Sequence, residues 1–227
     1  MHKSYVSKLR FAATLGAAML LAACGESGDQ SDAQDAAHTA EPAVQTEAVD
    51  VASKTEGTWG DLVYGDPNAP VTIIEYASLT CPHCARFAVE TFPKVKEQFL
   101  DTGKAKLVYR NFIMNRVDIA ASAAARCGND ETTKKLMKVF FARQYDWARS
   151  ESPLDELASL ARRAGISRTQ FDRCVSNEDM LKHLMQMTMD GQKEYDINST
   201  PSFIVNGKQL EFRTHEEILE GIAAAVN

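Results

Sequence analysis

The tetrapeptide Cys81-Pro82-His83-Cys84 lies where one backbone periodicity gives way to another. Upstream, Val71-Thr-Ile-Ile-Glu-Tyr-Ala77 is β-branched and mostly apolar, bounded by Asp66-Pro67 and Pro70, and reads as a buried strand. Downstream, Phe87, Val89, Phe92, Val95 and Phe99 recur at near-helical spacing. Pro82 suits a first helical position, where its missing N–H costs nothing. Pro93 falls inside the helical run and predicts a kink. Two cysteines one turn apart at the amino end of a helix form a specific chemical arrangement. The first N–H groups of a helix lack partners and carry partial positive charge, which favours a thiolate. Cys84 is close enough to Cys81 to form a disulfide with it.

The rest of the chain extends this pattern. Ala105 to Phe112 alternates and predicts a second strand, completing a β-α-β unit. Helical patterns follow over 118–127, 131–147, 153–164 (after Ser152 as N-cap), 167–175 (capped by Ser167) and 177–195. Met180, Met185, Met187 and Met189 on the last of these read as core filler. Phe203-Ile-Val205, the turn signal Asn206-Gly207 and Gln209-Leu-Glu-Phe212 predict a hairpin, and Thr214 caps a final helix. Thr200-Pro201 precedes the hairpin. X-Pro is the one linkage where the cis form is accessible, and a cis proline facing the cysteines leaves the preceding backbone free to pair with an extended chain. The predicted fold is α/β and thioredoxin-like: β-α-β, then β-β-α, with an inserted all-helical subdomain at about 116–196.

Two features precede this domain. Lys3, Lys8 and Arg10, then an apolar run from Phe11 to Ala23, describe an export signal; a buried N-terminal helix is the alternative. Leu21-Ala22-Ala23-Cys24 resembles a bacterial lipobox, with Cys24 lipidated as the first mature residue; ordinary signal cleavage is the alternative. Residues 25–56 hold eight acids against Lys54 alone, with no aromatics. Such a segment cannot bury enough apolar surface to offset its ordering entropy. It predicts a flexible tether spanning roughly 30 Å. The expected organisation is a signal at 1–23, an acidic tether at 24–57 and the folded domain at 58–227. The net charge of −6 resides largely in the tether. The lack of a basic face argues against nucleic acid as a partner. No run reaches the ~18–20 apolar residues of a membrane-spanning helix.

The 227 residues contain five cysteines. A structural zinc site needs four ligands, commonly two CxxC pairs, and the chain has one, so no metal is expected. With Cys24 acylated and Cys81 paired to Cys84, Cys127 and Cys174 remain. Exported proteins seldom keep two free thiols, so a Cys127–Cys174 bridge is expected; two separate buried thiols are the alternative.

The sequence resembles the DsbA family of exported thiol–disulfide oxidoreductases. The resemblance rests on Cys81-Pro82-His83-Cys84, on Thr200-Pro201-Ser-Phe-Ile-Val-Asn-Gly-Lys208 and on the helical insertion, and it covers about Thr58 to Asn227. Glu75, six residues before Cys81, matches a family acid buried under the active site. The resemblance implies a redox-active disulfide as the only prosthetic element, Cys81 as the attacked sulfur and His83 as a stabiliser of its thiolate. It gives Glu75 a proton-carrying role toward Cys84, against the alternative of a surface acid on an edge strand. It also implies reduced exported proteins as substrates and a membrane reoxidant of the DsbB kind. A monomer in the periplasm-facing envelope, held by its lipid, is expected. Thr200 departs from the valine of the best-known oxidases, which keeps a disulfide isomerase or reductase on the same fold open. A binding lipoprotein with a merely structural CxxC is a further alternative.

Overall fold

The computed structural model describes residues 59–226. The signal at 1–23, Cys24 and the tether at 24–57 lie outside the described residues. Five strands form one sheet in the order β1-β3-β2-β4-β5. They are β1 (Leu62–Tyr64), β2 (Val71–Ala77), β3 (Ala105–Asn111), β4 (Ser202–Val205) and β5 (Lys208–Gln209). β2 lies between β3, its parallel neighbour, and antiparallel β4. The β-branched run at 71–77 is thus the central strand. β1 adds antiparallel to β3 and is too short to show a period in the sequence. It ends at Gly65 (φ 88°), where a Cβ would meet the Ala105 carbonyl and Leu100 at 3.1 Å. Asn206 (φ 48°) and Gly207 (φ 81°) make the tight hairpin turn with left-handed residues at both central positions. β5 is shorter than the predicted 209–212 run. Beyond it Leu210 N–H still bonds the Phe203 carbonyl at 2.8 Å, and Phe212 packs edge-on against Phe203.

The CxxC helix is segmented. α1 (Pro82–Arg86) passes into a π-turn at Phe87–Thr91, α2 (Phe92–Val95) and a second π-turn at Lys96–Leu100. Pro93 stands at the start of α2, where it lacks a donor and its ring crowds the preceding turn. The chain answers by widening: Phe92 N–H bonds the Phe87 carbonyl, five residues back.

Six helices separate β3 from β4: α3 (Arg116–Ala125), α4 (Asp130–Ala142), α5 (Gln144–Ala148), α6 (Pro153–Arg163), α7 (Arg168–Val175) and α8 (Glu178–Tyr195); α9 (His215–Val226) follows the hairpin. Asn115, Asn129, Ser167 and Asn177 cap α3, α4, α7 and α8 through their side chains. Ser152 makes no side-chain cap to α6. α3 is the hub of the block. Its buried Ala121, Ala123, Ala124 and Ala125 let α4, α6, α7 and α8 all approach it. The run predicted as one helix over 131–147 is two, because Arg143 leaves helical geometry. Of the four methionines, Met180 and Met187 are buried, while Met185 and Met189 are exposed. Gly191 of α8 lies against the Tyr76 ring, where a Cβ would come within 2.5 Å of that ring.

Cys127 and Cys174 form a disulfide from the end of α3 to α7, across a sequence separation of 47. By chain-entropy reasoning, closing a loop of that size stabilises the fold by roughly 3–4 kcal/mol. The Cys127→Ala/Cys174→Ala double variant should therefore unfold in urea with a stability lower by about that amount, with unchanged activity of the other cysteine pair.

Candidate active site

Cys81 is the N-cap of α1 and Pro82 its first residue. The loop before Cys81 is anchored from the helical block. Asp118, buried at the start of α3, accepts the Leu79 N–H at 2.9 Å and the Met114 N–H at 2.9 Å. Gln144, the first residue of α5, donates from Nε2 to the carbonyls of Leu79 (2.7 Å) and Cys81 (2.9 Å). Asn115 donates to the Thr80 hydroxyl at 2.9 Å. The sequence places Asp118 in a helix and Gln144 in another, but gives no sign that both reach the cysteine loop. Asp118 is pushed up to about 6 by burial, opposed by hydrogen bonds from Ser78, Met114, Leu79 and Thr80.

The Thr200-Pro201 peptide is cis and faces Cys81. In the neutral form the Cys81 thiol donates to the Thr200 carbonyl at 3.3 Å. Both cysteines are unbonded in this structure, the dithiol state of the pair. Their environments differ. Cys81 keeps a little exposure and Cys84 none. Cys81 is lowered to about 5, chiefly by a hydrogen bond from the Cys84 thiol; the Thr200 side chain and the backbone N–H groups of Cys84 and His83 add to this against partial desolvation. Cys84 is raised well above an ordinary thiol by burial and by the neighbouring Cys81 sulfur. One sulfur is thus the thiolate and the other its proton-holding donor. His83 is exposed, and its contribution to Cys81 is a backbone N–H. Its imidazole makes no hydrogen bond with the described residues, so within them the part of His83 that stabilises the thiolate is its backbone.

Glu75 is in the central strand, opposite Tyr109 on β3 and Phe203 on β4. It is therefore not on an edge. It is 4% exposed, and its Oε1 has no hydrogen-bond partner among the described residues. Burial raises its carboxyl to about 8. Its charge, when present, raises Cys84 and Tyr109, so of the two cysteines it acts on the buried one. A cavity of about 360 Å³ reaches it between Phe87, Phe92, Tyr64 and Phe141. No cluster of His, Cys, Asp and Glu suited to a metal ion occurs among the described residues. None of their helices is long and apolar enough to cross a membrane.

The sequence profile of the thioredoxin family matches residues 58–224. The chain belongs to that family. It is 32% identical over 167 residues to a Rickettsia bellii protein named a protein-disulfide oxidoreductase, covering 73% of this chain and 64% of that one. A Rickettsia conorii protein of the same name is 34% identical over 169 residues, covering 74% and 60%. The chain thus spans less than two thirds of the length of these relatives. Among solved structures, protein-disulfide isomerase from Novosphingobium aromaticivorans superposes with a TM-score of 0.66 at 26% identity, covering 74% of this chain and 98% of that one. Wolbachia pipientis alpha-DsbA1 gives 0.63 at 26% identity, covering 73% and 88%. The neighbours are thus DsbA-type proteins, with the thioredoxin fold and helical insertion found here.

The difference between the two sulfurs of this thioredoxin-family site is open to direct measurement. In the dithiol state, iodoacetamide at pH 6 should alkylate Cys81 and spare Cys84, with the reactivity of Cys81 titrating near pH 5. His83→Ala should keep that midpoint well below the ~8.5 of a free thiol, because the backbone donors survive; peptide mapping across a pH series reads both.

Glu75 adds a pH-dependent cost. Between pH 4.5 and 8 the folded carboxyl keeps its proton while the unfolded one ionises. Unfolding therefore releases a proton, and stability falls as pH rises through that window. Glu75→Gln should remove this slope. Relative to wild type the variant gains with rising pH, by roughly 4 kcal/mol across the window, in urea unfolding at each pH.

Proposed function

We propose that the protein is an exported thiol–disulfide oxidoreductase of the DsbA type that introduces disulfides into reduced proteins through Cys81 and Cys84. The observation that carries this reading is the split between the two sulfurs: Cys81 down to about 5, Cys84 up, at one helix end. In the oxidised form a substrate thiolate attacks Cys81. The Cys81–Cys84 bond breaks, a substrate–Cys81 disulfide forms, and Cys84 leaves as a thiolate that takes up a proton. Glu75, protonated at neutral pH, is a buried acid with a proton to give, and its cavity offers a route for regaining one. A second substrate thiolate then attacks the substrate sulfur and expels Cys81. Cys81 leaves readily because its thiolate is stable. The same stability favours the dithiol and so makes the disulfide oxidising. The cis Thr200-Pro201 edge gives an extended substrate a backbone to pair with. No cofactor beyond the disulfide enters these steps.

The residues outside the described domain fit the same reading. The export signal, a lipid on Cys24 and the tether would hold a monomeric catalyst near a membrane, facing the periplasm, within reach of a DsbB-like reoxidant. Thr200 and the likeness to a protein-disulfide isomerase support a second reading, isomerisation on the same site.

Glutathione equilibration of the Cys81–Cys84 pair tests the reading. A potential far above the ~−300 mV of structural bridges is expected, together with faster oxidation of a reduced substrate than repair of a scrambled one. A structural-bridge potential overturns it, and the opposite rate order favours the isomerase. Cys24→Ser should move the protein from the membrane to the soluble fraction.

A further inference from the structure

A groove of about 660 Å³ borders the cysteine loop on the side of the helical block. That volume is within the ~300–1,000 Å³ of pockets that hold ligands. Thr80 and Pro82 line it together with Gln144, Tyr145 and Ala148 of α5. Arg116, at the start of α3, and Arg149, just after α5, both line it, both are exposed, and neither is ion-paired among the described residues. The Arg149 guanidinium lies over the Tyr145 ring, 4.3 Å from its centroid, which helps hold it in place. No Asp or Glu lines the groove among the described residues. The acid beside Tyr145, Asp146, is engaged by Arg143. Arg116 is the first residue of α3, where the helix dipole disfavours a cation, so its charge is not there to stabilise that helix.

The groove connects with the reacting sulfur. Cys81 Sγ touches the Thr200 carbonyl, and the Thr200 hydroxyl touches Met114 Sδ at 3.5 Å. Met114 is 57% exposed and adjoins Asn115, which lines the groove. A polypeptide linked to Cys81 and lying along Thr200 can therefore pass over an apolar step toward a groove that carries two cations.

We propose that this groove receives the flank of the substrate polypeptide beside its reacting cysteine, and that it selects flanks carrying Asp or Glu. The inference rests on the thiol–disulfide reading for its substrate but concerns binding alone. The two arginines give planar donors suited to paired hydrogen bonds with carboxylates. Tyr145, Val117 and Met114 supply the apolar contact. Because both cations are exposed, the selection weakens as salt screens them.

The test uses the full-length protein and two fluorescent peptides in which serine replaces the cysteine, one with two Glu beside it and one with two Lys. Anisotropy at low ionic strength should show the Glu peptide binding about tenfold more tightly, with the ratio falling toward one in ~0.5 M salt. The Arg116→Glu/Arg149→Glu variant should reverse the order, a gain for the Lys peptide that a misfolded variant does not produce. Equal affinities, including no measurable binding of either, or an order unchanged in the variant, overturn the proposal. Oxidation of the matching cysteine peptides is read separately. Failure there counts against the oxidoreductase reading and leaves the binding result to stand by itself.

Discussion

Everything in the domain converges on keeping one sulfur ionised at the first turn of a helix. A thiolate needs donors and loses stability when water is removed without them. Cys81 obtains its donors from the Cys84 thiol, the Thr200 side chain and the N–H groups of residues 83 and 84. Each of those depends on a different part of the fold. The backbone donors require the helix to begin at Cys81. The Cys84 thiol requires one helical turn and burial that keeps its proton on. Thr200 requires a cis peptide to bring a distant loop back against the helix end. None suffices alone, and the sheet joins them, because β2 delivers the cysteine loop and β4, its neighbour, begins just after Pro201.

The helical block has a positioning role that a simple insertion would not. Gln144 and Asp118 bond backbone groups of residues 79 and 81 from α5 and α3. That explains the break at Arg143. A continuous helix through 142–148 would keep one set of faces throughout. Leaving helical geometry at Arg143 lets Gln144 and Trp147, three apart on the same face of α5, both turn inward. Trp147 then donates to the Phe140 carbonyl at 2.7 Å and fixes the join. The block that carries α5 is itself tied by the Cys127–Cys174 bridge.

Most elements are legible in the sequence because they carry a period or a cap: β2, β3, the Asn-Gly turn, and the helix opened by Ser167. The sulfur pair and the cis proline are legible because few residue types do their chemistry. What cannot be read depends on strand order or on long-range contact. The three residues of β1 have too little pattern to mark a strand. Glu75 is one polar residue in an apolar run, and only the placement of β2 between two strands buries it. Arg143 is neither Gly nor Pro, so nothing local signals the end of α4. The exposed Met185 and Met189 show the limit of composition: a methionine stripe wider than the face α8 buries leaves its outer members in solvent. His83 stands out by its place between two cysteines, yet the first helical turn points its side chain outward and its backbone inward.

Glu75 shows how the same placement has both a cost and a use. A carboxyl with an unpartnered oxygen in the central strand opposes folding at neutral pH, and a glutamine or leucine of similar size would not carry that pH-dependent penalty. The penalty arises because the site holds a proton that water would remove. In the proposed exchange, that proton is the one Cys84 would take up when it is expelled. Cys84 cannot draw one from bulk water directly, since it is fully buried. A donor therefore has to be buried with it, and its affinity for the proton has to be near the working pH so that it can both give and recover it. A carboxyl in water falls several units short of that condition, and burial raises Glu75 to about 8. The pH-dependent cost to the strand and the proton proposed for Cys84 thus both follow from burying one carboxyl.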